Sequence, residues 1–577
     1  MQRHSYPACN LIMPLYSLSR ISAYFSGLLI FALLIISGTS AAASFISPVD
    51  QDAITQQQKG LLQQAEQQRD EIRNSITLSP LTTPASDDEG SFCHSVHHIQ
   101  FEGTENLSIS VQQALSEPYI SRCLTAGKIN ELVRKVSNAY IERGYVTSLA
   151  GLKVQDLSTG ILTITVTEGK VGSILLDGEA PLALKMAFPN MAGKTLNLRD
   201  IEQGMEQLNR LPSQQITIDI QPAKQPGYSD IILKRVVAQL PIHASLGMDN
   251  SGQKNTGREQ INATLGLDNP LHLADLWSIS ASHNSDFRNN HQSWSVTSGV
   301  TIPYGYWSFD YQYARNSSFQ IIPVGTGSYR HEGNGQTHQL KVNRTLYRDG
   351  KQKLALNMGI TRRQTSNIAA GVKFAISSPT LSAVSLGTSY STGLAGGYLT
   401  FNPTFSHGLT FWGATKDNTS DRNAPRSQFR KFSLSSSYFM PVTEDIYYLT
   451  SLYGQFTPDN LYAGERLSLG GQYSVRGFKE QNLMGNNGGY WRHELNWKLI
   501  KLPLLGELSL NSALDTGWLE NNKKRRIEGG NVTGTSLGIS LNNNRMNQMV
   551  TIGKPLVYPA HLKPDHWVVY WSASLNF

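Results

Sequence analysis

The last thirteen residues read DHWVVYWSASLNF (565–577). Trp567, Val569, Trp571, Ala573, Leu575 and Phe577 fall on one face of an extended chain. An apolar stripe at period two, ending on an aromatic residue, describes a strand with one side against lipid. The same pattern starts far upstream. QLPIHASLGMDN (239–250) sets Leu240, Ile242, Ala244, Leu246 and Met248 against Pro241, His243, Ser245, Gly247 and Asp249. QINATLGLDNP (260–270) repeats it with Ile261, Ala263, Leu265 and Leu267. WSVTSGVTIPYG (294–305) carries Trp294, Val296, Val300 and Ile302, and YWSFDYQYA (306–314) carries Trp307, Phe309, Tyr311 and Tyr313. One such segment means little, but persistence over residues 239–577 is the signature of a transmembrane β-barrel. Sixteen antiparallel strands would use about 21 residues per strand and connection, within reach of ~10-residue spanning segments and their loops.

Composition agrees. Charged residues make up 16% of the 577, and mean hydropathy is −0.29, which excludes a helical membrane protein. A closed barrel pairs all its backbone groups, so a weakly hydrophobic chain can cross lipid while polar side chains line a wet lumen. The net charge of +7 is spread out, and the one dense basic run, Lys523-Lys524-Arg525-Arg526, reads as a solvated hairpin loop. Nucleic acid is therefore not an expected partner.

Upstream of the barrel the texture changes repeatedly. Arg3 and Arg20 precede a stretch without charge up to Asp50, with an apolar run from Phe25 to Ile36 and small residues at Ala41-Ala42-Ala43. This predicts a secretory signal over residues 1–43, because the run is short for a membrane anchor. Removal of the leader leaves Cys93 and Cys123, an even pair in an exported protein, which predicts a disulfide. Eight glutamines lie between Gln51 and Gln68, while Ile54, Leu61, Ala65 and Ile72 make one narrow apolar stripe at helical spacing. Residues 44–75 are then either a weakly helical tail or a polar helix lodged in a polar cavity. Residues 76–91 are rich in Pro, Thr, Ser and acidic residues and read as a linker.

Two small α+β units follow, at 92–170 and 171–238. The first carries a helix with Ile129, Leu132, Val133, Val136 and Tyr140 on one face; the second carries one with Leu198, Ile201, Met205 and Leu208, N-capped by Asn197.

No enzyme constellation stands out. GTSLG (534–538) matches a nucleophile elbow in pattern, but it sits in an alternating strand and not in a strand–turn–helix. His97-His98 lie on a short strand near Cys93 and do not make a convincing metal set. No P-loop, HExxH motif or dinucleotide fingerprint occurs, so neither a cofactor nor a metal is expected.

One stretch breaks the barrel pattern: LSLGGQYSVRGFKEQNLMGNNGGYW (467–491). LGGQYSVRGF, with Val475, Arg476, Gly477 and Phe478, resembles the V-R-G-[FY] motif of the outer-membrane transporters of two-partner secretion, the TpsB or haemolysin activation/secretion family. Three further places carry the resemblance. CHSVHHIQFEG with CLTAGKINELVRKVSNAYIERGYVTS is similar to that family's first periplasmic POTRA domain, and LNLRDIEQGMEQLNRLPS to its second. ALDTG (513–517) is similar to a barrel-strand motif F-x-D-x-G, with Asp515 and Gly517 kept and Ala513 in place of Phe.

The resemblance implies a plug helix at 44–75 seated in the pore, a linker, two POTRA domains in the periplasm, and a sixteen-stranded barrel in the outer membrane with the 467–491 loop folded inward. It implies a single-chain transporter, without enzymatic activity, that passes a large unfolded exoprotein (an adhesin, a haemolysin or a contact-dependent inhibition toxin) without ATP. The alternative is an assembly or insertion factor of the BamA kind. A lumenal guanidinium needs a carboxylate, so Arg476 is expected to meet Asp515 and pin the loop to the barrel wall.

Overall fold

The computed structural model describes residues 47–76, 78, 80–81, 92–236, 239–418, 420–421, 423–522 and 529–577. The expected signal sequence, most of the linker and the basic run at 523–526 lie outside these residues. Among the described residues, no helix is long and apolar enough to cross a membrane.

Sixteen long antiparallel strands close into a barrel, from Ile242–Asp249 to Val568–Asn576; a two-residue strand, Val372–Lys373, sits within one of its loops. Closure is made by five register pairs, Asp249↔Ser572 through Ser245↔Asn576. Alternation sets the two faces. Leu246, Met248, Val569, Leu575 and Phe577 are exposed on the outside, where lipid belongs, whereas Val568 and Tyr570 point in and are buried. Exposed Leu, Ile, Val, Phe and Trp recur around the whole circumference, far beyond what a protein surrounded by water leaves open. The opening strands have 8 and 9 residues, close to the ~9–11 needed to span, whereas Gly327–Arg348 has 22 and projects well beyond the hydrocarbon.

The segment before the barrel forms a helix and two α+β units. Helix α1 (Pro48–Arg73) is described below. The first unit comprises β1 (Cys93–Val96), β2 (His98–Glu102), α2 (Ile109–Ser116), β3 (Arg122–Thr125), α3 (Ala126–Glu142), β4 (Leu149–Gly151) and β5 (Ile161–Thr167). β2 and β5 run parallel and β4 joins β5 antiparallel. Helix α3 starts at Thr125, whose hydroxyl accepts from the Lys128 N–H. It buries Ile129, Leu132, Val136 and Tyr140 against Leu162 and Ile164 of β5.

The second unit repeats this plan with β6 (Lys170–Leu176), α4 (Leu182–Ala187), α5 (Leu198–Asn209), β7 (Ile216–Pro222) and β8 (Tyr228–Arg235), β6 lying parallel to β8. The Asn197 side chain caps α5 by accepting from the Arg199 N–H at 2.9 Å. Leu198, Ile201 and Leu208 enter the core with Leu196, Ile231 and Leu233. The short helix α4 was not foreseen; its six residues are too few to show a helical period.

Cys93 and Cys123 are bonded, with Cα atoms 5.4 Å apart, and staple β1 to β3, a two-stranded ribbon with only four register pairs. Such a ribbon is marginal on its own. Closing a loop across a separation of 30 residues should stabilise this unit by about 3–4 kcal/mol. Replacing both cysteines by serine should lower the thermal midpoint of the two α+β units and leave the barrel's heat-resistant electrophoretic band in place. Calorimetry and gel mobility of the full chain check both outcomes.

Candidate functional site: a pinned loop and a helix inside the barrel

The connection from the strand Ile446–Phe456 to the strand Gly488–Leu502 turns back into the lumen. At its tip Arg476 reaches the wall strand Gly506–Leu519. The Arg476 Nε donates to Asp515 Oδ2 at 2.6 Å and Nη2 donates to Oδ1 at 2.7 Å, a two-pronged pair. The Arg476 backbone N–H adds a third bond to Oδ2 at 2.9 Å. Asp515 is fully buried.

Glycines let the backbones approach. Gly477 has φ +98°, and a Cβ there would lie 2.5 Å from the Lys554 carbonyl oxygen. A Cβ on Gly534 would strike the Arg476 carbonyl oxygen. Val475 and Phe478 are both fully buried, in a cluster with Leu467, Leu469, Tyr490 and Val532. Gly517 belongs to the same surface, since a Cβ on it would meet Leu469 and Val475 at 3.1 Å. The Tyr570 hydroxyl donates to the Phe478 carbonyl at 2.6 Å and so ties the loop to the last strand.

A second carboxylate, missed in the sequence, completes the site. Glu494 Oε1 lies 3.3 Å from Arg476 Nη2 and 3.0 Å from Arg492 Nη2, while Arg492 Nη1 donates to the Gln472 carbonyl at 3.1 Å. The sequence offers only that Arg492 and Glu494 are two residues apart and so share a strand face; strand register puts Arg492 opposite Asp515 and makes Glu494 a partner. Ala513 lies on that face too, lining a polar cavity with Arg476, Glu494, Asn496, Asn511 and Ser536. The position where the family motif has Phe therefore borders open polar space.

Helix α1 lies inside the barrel. Its start meets wall and loop groups: Asn316 Nδ2 donates to the Val49 carbonyl at 3.3 Å, Gln253 Nε2 to the Pro48 carbonyl at 3.1 Å, and Asn482 Nδ2 to Gln51 Oε1 at 3.0 Å. Midway, Gln58 Nε2 donates to the Ser468 carbonyl at 2.8 Å, and Leu61 packs on the cluster that holds Val475 and Phe478. Gln68 and Asn402 exchange two amide bonds of 3.0 Å. The Arg69 guanidinium sits 4.8 Å over the Phe439 ring.

Of the apolar stripe, Ile54 and Ile72 are buried, whereas Leu61 and Ala65 are half-buried. Gln58 and Gln68 are buried as deeply as the isoleucines. The glutamines, and not the stripe alone, form the contact surface.

At the barrel end nearest the α+β units one ammonium joins three parts of the chain. Lys353 Nζ lies 2.9 Å from Glu71 of α1 and also contacts Glu206 of α5. Arg348 Nη1 lies 3.0 Å from Glu206 and Arg199 Nη1 lies 2.7 Å from Glu202. Burial pushes the Glu206 carboxyl up, but the Lys353 ammonium and Arg348 guanidinium outweigh it and hold it below its usual value. Around this network Tyr306 hydrogen-bonds Asp200, and Gln207 Nε2 donates to the Gly305 carbonyl at 3.3 Å, so the second unit docks on the barrel's inner rim.

Among the described residues there is no group of three His, Cys, Asp or Glu side chains placed to hold a metal.

Replacing Arg476 by Ala should leave Asp515 as a buried charge without its main partner, a defect of about 3–5 kcal/mol. Lys in its place should recover only part of this, because an ammonium cannot make the two-pronged contact. Both variants should keep the folded barrel in gel mobility but expose the loop to limited proteolysis between Gly470 and Asn487, the alanine variant faster.

Known proteins share this construction. Residues 227–541 match the family model for haemolysin secretion/activation proteins ShlB/FhaC/HecB. Residues 94–169 match a ShlB-type POTRA domain and 170–222 a further POTRA domain. The outer membrane transporter CdiB of Dickeya dadantii (strain 3937) is 40% identical over 559 residues, covering 96% of this chain and 100% of its own. The outer membrane transporter CdiB of Escherichia coli O6:K15:H31 (strain 536 / UPEC) is 41% identical over 565 residues, covering 97% of this chain and 95% of its own. A solved CdiB structure from Escherichia coli superposes with a TM-score of 0.90 at 40% identity, over 93% of this chain and 100% of that one. With its barrel, its tandem POTRA domains and the extent of these matches, the chain belongs to the haemolysin secretion/activation family of ShlB, FhaC and HecB.

Proposed function

We propose that this chain is the outer-membrane transporter of a two-partner secretion pair, moving one large exoprotein from the periplasm through the barrel lumen to the cell surface. The observation that carries this reading is the nature of the seal. The lumen is filled by a helix held through amide hydrogen bonds, one cation–ring contact and a rim ion pair, and not by an apolar core. Amide hydrogen bonds of this kind exchange for water at small net cost, about 0.5–1.5 kcal/mol each, so the helix can leave without unfolding the barrel. Once it leaves, a polar passage lined by Asn, Ser and Gln remains, in which an unfolded chain can stay hydrated.

Residues 48–73 act as the plug, and the Arg476–Asp515 pair anchors the inward loop. The POTRA domains face the periplasm and receive the exoprotein before it folds. No nucleotide takes part; folding of the exoprotein outside makes the movement one-way. The chain acts as a single barrel in outer-membrane lipid, without enzymatic activity. The partner is an adhesin, a haemolysin or a contact-dependent inhibition toxin, a reading supported by relatives named outer membrane transporter CdiB and hemolysin transporter protein ShlB.

Deleting the protein should remove one very large polypeptide from the cell surface and medium while the amounts of other outer-membrane barrels stay constant. A general loss of barrels would instead favour an assembly factor. In planar bilayers the intact chain should be closed most of the time. A variant lacking residues 48–73 should conduct continuously; unchanged conductance would refute the assignment of the helix as plug.

A further inference from the structure

The outer wall of the barrel carries two guanidinium groups that the lumen does not use. In the strands Trp307–Val324 and Gln352–Ala369, Asn316 and Arg363 point inward, where they bond the Val49 and Gly464 carbonyls. Their neighbours Arg315 and Arg362 therefore face outward. Through the intervening strand Gly327–Arg348, register sets Arg315 beside Gln336 and Gln364, and sets Arg362 beside His338 and Tyr313. The next outward row toward the α+β units is Tyr311, Leu340 and Ile360, and the row after it is Phe309, Val342 and Met358. The polar cluster thus lies on the edge of the apolar band, at the end of the barrel away from the POTRA domains. In an outer-membrane barrel that edge is the headgroup level of the outer leaflet.

The cluster is ordered by its own contacts. The Tyr311 hydroxyl and His338 Nδ1 share a hydrogen bond of 2.9 Å, and Gln336 Nε2 donates to the Tyr313 hydroxyl at 3.3 Å. The Arg315 guanidinium lies 5.8 Å over the Trp294 ring. Arg362 Nε donates to the Trp412 carbonyl at 3.0 Å and Nη2 to Gln364 Oε1 at 3.3 Å. Among the described residues, neither guanidinium pairs with a carboxylate. Glu332, farther out on the same hairpin, is taken by Arg330 at 2.6 Å. The Trp412 turn points the same way. It leaves the sheet between Leu409, whose N–H donates to the Ser382 carbonyl, and Thr415, whose N–H donates to the Thr380 carbonyl. Phe411 and Trp412 are exposed on it. Trp412 has φ +61°, a left-handed backbone that is strained for so bulky a residue. That conformation sets its carbonyl on Arg362 and its indole at the headgroup level, where indole rings concentrate.

We infer that Arg315, His338 and Arg362, flanked by Trp294 and Trp412, form a binding site for a phosphate of the outer leaflet's phosphorylated glycolipid. Charge and place identify the occupant. Two guanidinium groups without carboxylate partners call for an anion, and phosphate oxygens suit their forked donors. A free anion would gain nothing from the apolar rows directly below. A lipid phosphate brings its acyl chains onto Leu340 and Ile360 as its headgroup meets the arginines. The inward faces of the same strands hold the start of α1 through Asn316 and the root of the inward loop through Arg363. A headgroup seated outside therefore stiffens the stretch of wall on which both rest. The site depends on the barrel's place in the outer membrane and not on what passes through it.

Native mass spectrometry of the full chain in detergent, titrated with diphosphoryl lipid A, tests the site. The double variant Arg315→Gln/Arg362→Gln should bind this lipid about tenfold more weakly than the wild type or worse, because the lost bonds are to a charged group. Arg344 is an outward guanidinium at the opposite rim, 4.8 Å over the Trp307 ring. The variant Arg344→Gln should bind as the wild type does, and both variants should keep the heat-resistant band. Equal binding by the wild type and the double variant, or an equal loss in Arg344→Gln, would overturn the proposal.

A second measurement needs no substitution. Lipid A stripped of both phosphates should bind the wild type about tenfold more weakly than the diphosphoryl form or worse. An excess of inorganic phosphate should leave the diphosphoryl lipid bound. Equal retention of the two lipids would reduce the contact to the apolar girdle, and displacement by inorganic phosphate would make it a site for a free anion. Either result also overturns the proposal.

Discussion

A backbone amide in hydrocarbon has no water to bond, and leaving it unpaired costs several kcal/mol. Every other feature of this chain follows from meeting that demand with strands. Sixteen strands satisfy one another around a closed ring, down to the five pairs that join first to last. Closure gives the chain an inside, and alternation makes that inside polar. A largely polar inside favours contents that stay hydrogen-bonded, and the lumen holds a glutamine-rich helix and a glycine-rich loop whose apolar residues pack in a cluster of their own.

The lumenal contents are graded in strength. The loop tip is fixed by a two-pronged guanidinium–carboxylate pair with a third backbone bond, by glycines that allow contact at backbone distance, and by two fully buried apolar side chains. Breaking any one leaves a buried charge, a backbone clash or a cavity. The helix is held by exchangeable amides, with Leu61 as its shared contact with the loop cluster. Firm loop and loose helix suit a passage in which the helix moves while the loop stays to brace the wall. At the inner rim, Lys353 and Arg348 tie helix, barrel and second POTRA domain into one buried charge network. The helix proposed as plug and the domain proposed to receive cargo thus share a counter-ion.

Legibility in the sequence tracked repetition. Period two, renewed over more than three hundred residues, made the barrel and its approximate strand number readable, and helical period made α3 and α5 readable with the faces they bury. Short or irregular pieces were not: the six residues of α4 are too few to show a period. The Arg476–Asp515 contact came from a motif and the rule that a lumenal guanidinium needs a carboxylate. Glu494 escaped because its value lies in a register two strands create together. Gln58 and Gln68 escaped because a buried glutamine looks like a solvated one until its partner is in place.

By itself the sequence determined which groups meet lipid and which meet water, because side-chain alternation is fixed as soon as a strand forms. It also determined that Arg476 requires an acid and that Cys93 and Cys123 are the cysteines beyond the expected leader. Only the tertiary structure decided which groups answer those needs. Closure brought Glu494 to Arg476, folded Ser468 over Gln58, and set Lys353 between Glu71 and Glu206. Those partners stand tens to hundreds of residues apart or derive their position from strand register. No local rule relates them, and the wet lumen, where the helix is seated, exists only once the ring is shut.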